Sequence, residues 1–204
     1  MPAVKVKTNP RQPGAAGRVK LPFPASANLR LAQLSPAPRF YSVVPFMPER
    51  WFELEAYRPS VLVGEAADLE RLLEQVQLGM VDLACVDRGL IVLTRYRARP
   101  LSDVFRVSLW QGFAVPIFEL YLGPDNSLVA AECEVHEGWH LEPGIDCWRH
   151  EGELILDSAG NYGLRTGLTA DMEEVPCACG RITPKLVNIE AIHRRVPCRL
   201  AASA

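Results

Sequence analysis

The stretch "PSVLVGEAADLERLLEQVQLG", Pro59 to Gly79, constrains the fold more than any other. Its apolar run Val61–Val63 has the length of a buried strand, and an amphipathic helix follows with almost no loop. Leu69, Leu72, Leu73 and Val76 stand at i, i+3, i+4 and i+7, and Gly79 is placed to close the helix. The same pairing recurs downstream. "GLIVLT" reads as a strand. "LSDVFRVSLWQGF" reads as a helix with Ser102 as N-cap and Val104, Phe105 and Leu109 along one side. "AVPIFELYLG" is strand again. Upstream, "FYSVVPF" reads as a short strand, and Pro48 suits the first turn of a helix over "PERWFELEAYR". Strand and helix therefore alternate from about residue 40 to 123. This predicts an α/β layer with largely parallel strands.

The character changes on both sides of that layer. Residues 1–38 are dense in proline and glycine and hold no period, so they read as an extended arm. Leu21, Phe23, Leu29 and Leu31 order it only where they find a surface. After Gly123, "LVAAECEVHEGWHLEPG", "GELILDS" and "YGLRTGLT" are short strands separated by Gly, Pro and Asp. They form an appended antiparallel β region over about 124–190, within a single α/β domain spanning 39–204.

Charge excludes several function classes. The chain has 22 basic and 24 acidic side chains, which predicts no nucleic-acid partner and no membrane surface. Lys5, Lys7, Arg11, Arg18 and Lys20 cluster near the start as a solvated tail. No apolar run is long enough to cross a membrane and no secretory h-region is visible, so a cytoplasmic location is expected. In that compartment cysteines serve as free thiols, metal ligands or catalytic groups more often than as disulfides.

Six cysteines are present, and two places concentrate them with histidine. "ECEVHEGWH" carries Cys133, His136 and His140, and "CACG" carries Cys177 and Cys179. Three thiolates and one imidazole make a four-coordinate zinc site, closed to substrate. Such a site would pin the antiparallel region to the loop before "RITPKL". Buried thiols that pack as small hydrophobes remain the competing reading. His136 and His140 compete for the fourth position, and a strand would place His136 on the face opposite Cys133. Cys147 and Cys198 are alternative ligands. Cys85 reads as a buried strand thiol, and His150 and His193 as surface residues. No Gly-x-Ser-x-Gly elbow supports a nucleophilic triad.

The order "YRPSVLVGEAADLERLLEQ", "GFAVPIFELYLG", "AAECEVHEGWHLEPG", "GELIL", "LRTG", "CACGRITPKL" resembles the phenylacetate–coenzyme A ligase group of adenylate-forming enzymes, over about residues 40 to 190. The resemblance implies a partial adenylate-forming-type α/β layer followed by the antiparallel β region. It also implies a structural zinc held by Cys133, His140, Cys177 and Cys179, which favours His140 over His136.

The same resemblance implies losses. These ligases use a Ser/Thr/Gly-rich phosphate loop, which is expected to be missing here. Their Tyr-Gly-x-Thr-Glu element corresponds to "YLGPDN", which keeps Tyr121 without the Thr–Glu pair. Their ribose-gripping Asp after Arg-Thr-Gly is replaced by Leu168, which accepts no hydrogen bond. Their C-terminal domain with its lysine is expected to be missing too. Each loss removes charge stabilisation or positioning of the triphosphate. The expectation is therefore no catalytic residue and a non-catalytic, zinc-stabilised binding or assembly module. Its partner would be a second copy or another protein subunit. The alternatives are a subunit that completes an acyl-activating site with another chain, and a binder of small aryl acids or acyl-coenzyme A.

Overall fold

The computed structural model describes residues 21–23, 29–35, 43–158 and 161–192. The basic cluster from Lys5 to Lys20, together with His193 and Cys198, lies outside the described residues.

In chain order the elements begin with β1 (Leu31–Gln33) and β2 (Val43–Pro45). A 3-10 segment (Pro48–Glu53) runs into α1 (Leu54–Tyr57). Then come β3 (Val61–Glu65), α2 (Ala66–Gln77), β4 (Gly89–Thr94), α3 (Asp103–Phe113) and β5 (Ile117–Leu122). Seven more strands follow: β6 (Leu128–Glu132), β7 (Trp139–Leu141), β8 (Asp146–His150), β9 (Glu153–Ser158), β10 (Asn161–Arg165), β11 (Leu168–Glu173) and β12 (Lys185–Ala191).

These strands build a nine-stranded sheet in the order β11-β12-β7-β6-β5-β4-β3-β1-β2, and a separate three-stranded sheet β10-β9-β8. Strands β2, β1, β3, β4 and β5 are parallel, as the strand–helix alternation predicts. The antiparallel strands β6, β7, β12 and β11 continue the same sheet. The antiparallel region is thus partly an extension of the layer and partly the small sheet packed against it.

The helices form where the pattern places them. Leu69, Leu72 and Leu73 of α2 are buried, and Gly79 adopts φ +68 just beyond its end. Ser102 caps α3 by accepting from the Phe105 N–H. Leu109 and Phe113 form the buried stripe of α3, with Phe105 against it. Val104 does not join them. It is 80% exposed, because a residue five positions before Leu109 falls about 140° away around the helix. Segment 29–35, read as part of an arm, contributes β1, which pairs with β2 on one side and β3 on the other. Cys85 is not a strand thiol; it lies in a turn between α2 and β4 and is half-buried.

Side chains alternate across the sheet. On one face, α2 and α3 cover Leu62, Leu90 and Val92 of the parallel half. The small sheet covers Tyr121 of β5 and Trp139 and Leu141 of β7 on that same side. Val61, Val63, Ile91, Leu93, Leu120 and Leu122 point to the other face.

A polar network lies beneath α3. Glu119 is 2% exposed and Glu132 is 5% exposed. Arg106 of α3 donates to both oxygens of Glu132 at 2.9 and 3.2 Å, and to the Ile117 carbonyl at 2.8 Å. The Glu119 N–H donates to Glu132 at 2.6 Å. The Glu119 carboxyl accepts from Leu101 N–H at 2.8 Å and from the Thr94 hydroxyl. One guanidinium faces two carboxyl groups, and burial pushes the Glu119 carboxyl up to about 7. Its folded value lies above its unfolded value. The stability this group contributes is therefore greatest at low pH and is lost as pH rises from about 4.5 through 7. Urea titrations of wild type and Glu119→Gln at a series of pH values should diverge across that window. The wild type should lose about 1–3 kcal/mol relative to the variant. Parallel curves would contradict this reading.

Candidate metal centre

Cys133 follows β6, His140 lies in the middle of β7, and Cys177 and Cys179 occupy the connection from β11 to β12. These pieces are distant in sequence but adjacent in the sheet, since β7 lies between β6 and β12. The register pairs His140 with Ala131 of β6 and Lys185 of β12. Directly opposed residues share a face, so the His140 ring points to the face opposite the small sheet.

Two local turns aim the thiols. The His136 N–H bonds to the Cys133 carbonyl at 3.0 Å, which folds the chain tightly after β6. In the second turn the Gly180 N–H bonds to the Cys177 carbonyl at 2.9 Å, and the Cys177 N–H to the Arg181 carbonyl at 3.2 Å. Gly180 takes φ +78, which glycine supplies without strain. The C-x-C pair is thereby curled back toward β7.

The four donor atoms all lie within 4.8 Å of one another. Cys133 Sγ is 3.8 Å from Cys177 Sγ, and Cys179 Sγ is 3.6 Å from His140 Nε2. A tetrahedral zinc with ordinary bond lengths has sulfur–sulfur edges of about 3.8 Å and sulfur–nitrogen edges of about 3.6 Å. These two separations therefore fit such an ion. Cys133, His140 and Cys177 are buried and Cys179 is half-buried, as a closed structural site requires.

The electrostatics agree with the geometry. Burial holds the His140 imidazole below its ordinary value, so it is neutral, the form that binds a metal. Its Nδ1 faces the Thr183 carbonyl at 3.4 Å, leaving Nε2 directed at the thiols. Burial, then the side chains of Cys179 and Cys177, push the Cys133 thiol up to about 11. At Cys177 burial opposes ionisation, but the Cys179 backbone N–H and the adjacent thiols outweigh it and hold the thiol below its ordinary value. A divalent cation bound by thiols crowded in this way displaces their protons to solvent and offsets most of the charge of the thiolates it binds.

The structure does not bring His136 into the group. Its ring stacks on Phe118 with centroids 4.7 Å apart. Cys147 is also elsewhere, buried in β8 of the small sheet with its sulfur 3.8 Å from that of Met172. His150 is exposed beside Glu151. Three supporting residues carried no sequence signal. Thr183 acts through its carbonyl. Lys185 binds Glu137 at 3.2 Å and Glu173 at 3.1 Å, tying the Cys133–His140 connection to β11 and β12.

Gly138 is the third supporting residue. It takes φ +124, and a Cβ there would stand 2.2 Å from the Leu186 carbonyl oxygen of β12. Gly138→Ala should push β7 and β12 apart at the point where the two halves of the site meet. A loss on the order of 2–3 kcal/mol is expected. Chemical denaturation measures it, and an unchanged midpoint would contradict the contact.

No protein-family model matches this sequence, and no curated protein does. Solved structures do match. One is an open conformation of 2-hydroxyisobutyryl-CoA ligase in complex with 2-HIB-AMP and CoA. It has a TM-score of 0.62 at 12% identity, covering 80% of this chain and 45% of that one. Coronafacic acid ligase from Pectobacterium brasiliense has a TM-score of 0.52 at 11% identity, covering 78% of this chain and 38% of that one. The chain resembles part of the acyl-CoA ligase fold. It spans less than half the length of these ligases. At such identities the likeness concerns the arrangement of strands and helices. Among the described residues, no helix is long and apolar enough to cross a membrane.

Proposed function

We propose that this chain is a zinc-stabilised, non-catalytic relative of the phenylacetate–coenzyme A ligase group, serving as a binding or assembly module. The observation that carries this reading is the Cys133, His140, Cys177 and Cys179 group. Its Cys133–Cys177 and Cys179–His140 separations suit a tetrahedral ion, and a set of four protein ligands leaves no open position for substrate. A closed site of this kind fastens structure. It ties the end of β6 to β7 and to the β11–β12 connection, across strands that are only three to seven residues long.

Local chemistry supports the absence of catalysis. Tyr121 is 1% exposed, and its hydroxyl accepts from the Arg97 N–H at 3.4 Å. Leu122, Gly123, Pro124 and Asp125 follow it where the ligases carry the remainder of Tyr-Gly-x-Thr-Glu, so proline stands at the threonine position and the shorter aspartate at the glutamate position. Leu168 stands where a ribose-binding carboxylate is needed, and it is buried at the start of β11.

The test is ATP–pyrophosphate exchange with aryl and alkyl carboxylic acids, paired with light scattering of the same preparation. We expect no exchange above the protein-free background and a particle larger than one chain. Exchange by the purified chain would overturn the non-catalytic reading. Exchange that needs a second protein would make this chain a subunit of an acyl-activating enzyme. A clean monomer in every condition would remove assembly from the proposal.

A further inference from the structure

The nine-stranded sheet is covered unequally. The helices and the small sheet lie on one face. On the other face Val61, Val63, Ile91, Leu93, Leu120 and Leu122 are each at most 2% exposed. No residue of a described helix belongs to that cluster. Apart from Val43 and Leu128 at the sheet's own strands, the described, partly buried apolar side chains that pack against it are Leu21, Phe23 and Leu29. Parallel sheets are stable only with both faces covered. Here Leu21, Phe23 and Leu29, none of them in a described helix, stand where another α/β protein places helices.

The segment suits that position. Phe23 lies between Pro22 and Pro24 in sequence, which biases the backbone there to extended conformations. Leu29 lies two residues before β1, which is itself a strand of the sheet between β2 and β3. The chain is therefore tethered at the surface it covers, and its effective concentration there is high.

Phe23 also reaches toward the metal centre. Its ring lies 5.3 Å from that of Phe118 in β5, and Phe118 stacks on His136 at 4.7 Å. His136 adopts φ +55 in the turn that carries Cys133, and its N–H closes that turn on the Cys133 carbonyl. Histidine is among the non-glycine residues that enter the left-handed region more readily. The row of rings Phe23–Phe118–His136 packs against that turn.

We propose that this face is a docking surface for an extended apolar peptide, that its occupant is this chain's own segment bearing Leu21, Phe23 and Leu29, and that docking there holds the Cys133 turn in place. The last clause rests on the zinc reading above; the first two do not.

The experiment uses the full chain in two variants, Leu21→Ser/Phe23→Ser/Leu29→Ser and the milder Phe23→Ala. With far-UV circular dichroism like wild type, the triple variant should bind an apolar dye several-fold more strongly than wild type does. A synthetic peptide of residues 19–31 should bind it and abolish the dye signal, and should not bind wild type, whose surface is already filled. Phe23→Ala should release zinc to a chelator roughly tenfold faster, the scale seen when a supporting partner of a metal site is lost. If the triple variant fails to fold, Phe23→Ala carries the dye and peptide measurements. A folded variant that takes up neither dye nor peptide would overturn the docking claim. Wild-type dye binding that rises on dilution would assign the face to a second copy. Unchanged zinc release would overturn the link to the Cys133 turn. A preparation without zinc would defeat the zinc reading while leaving the dye and peptide results decisive for docking.

Discussion

A Cys177→Ser, Cys179→Ser double variant should lose its zinc and melt well below wild type. The two thiols supply half of the donor set, and they come from the connection that joins β11 to β12. Serine keeps the size and loses the thiolate, which is the group the ion binds. Under the zinc reading, losing the ion would leave His140 and Cys133, 0% and 1% exposed, without a shared partner. Structural zinc contributes about 10–16 kcal/mol to small peptides that have no other core. Here two apolar clusters flank the site, so the loss should be smaller, on the order of 3–5 kcal/mol. For a chain of this size that lowers Tm by roughly 10 °C. Cys147→Ala is the control, since Cys147 lies in β8 of the small sheet against Met172. It should lower stability modestly and leave the zinc content unchanged. Calorimetry with metal analysis reads both. A double variant with normal zinc content would remove Cys177 and Cys179 from the ligand set.

Arg106→Leu should be comparably severe for a different reason. The guanidinium makes a bidentate pair with Glu132, lies 3.8 Å from Glu119, and also satisfies the Ile117 carbonyl. Leucine keeps the apolar stem of α3 and deletes every one of these contacts. Glu132 would then remain buried beside the Glu119 carboxyl with no cation. Breaking a buried pair by removing one partner costs about 3–5 kcal/mol. Glu132 directly precedes Cys133, so the end of β6 should loosen together with the metal turn. The double variant Arg106→Leu/Glu132→Gln should recover part of the loss, because it removes the uncompensated charge as well. A single variant within about 0.5 kcal/mol of wild type would mean that water replaces the guanidinium.

Much of this architecture was legible in the residues, and the exceptions have physical causes. Strands β3 and β4 open on continuous apolar runs, and β5 is apolar apart from Glu119, because one of their faces is covered by helices and the other by Leu21, Phe23 and Leu29. Helix α2 was legible because its leucines repeat at the helical period over a length few strands reach. Strands β1 and β7 are three residues long, too short for any period to accumulate. In β12 burial falls off along the strand from Lys185 to Ala191, and the pattern opens on a buried lysine paired with two glutamates. Hydrophobicity alone does not reveal such a strand. The four residues of the metal group were visible as chemical types, and the family resemblance separated His140 from His136. The reason for that separation lies in tertiary structure. His136 closes a turn and stacks on Phe118, whereas His140 sits in a strand whose register places it beside the thiols. Gly138 and Lys185 became functional candidates only once β12 was seen to pass against the Cys133–His140 connection.

X-ray absorption at the zinc edge, on protein purified under reducing, chelator-free conditions, tests the Cys133–His140–Cys177–Cys179 centre most directly. The expected result is zinc near one equivalent per chain, with three sulfurs at about 2.3 Å and one nitrogen at about 2.0–2.1 Å. A preparation without metal, or a zinc shell made only of oxygen and nitrogen, would contradict it.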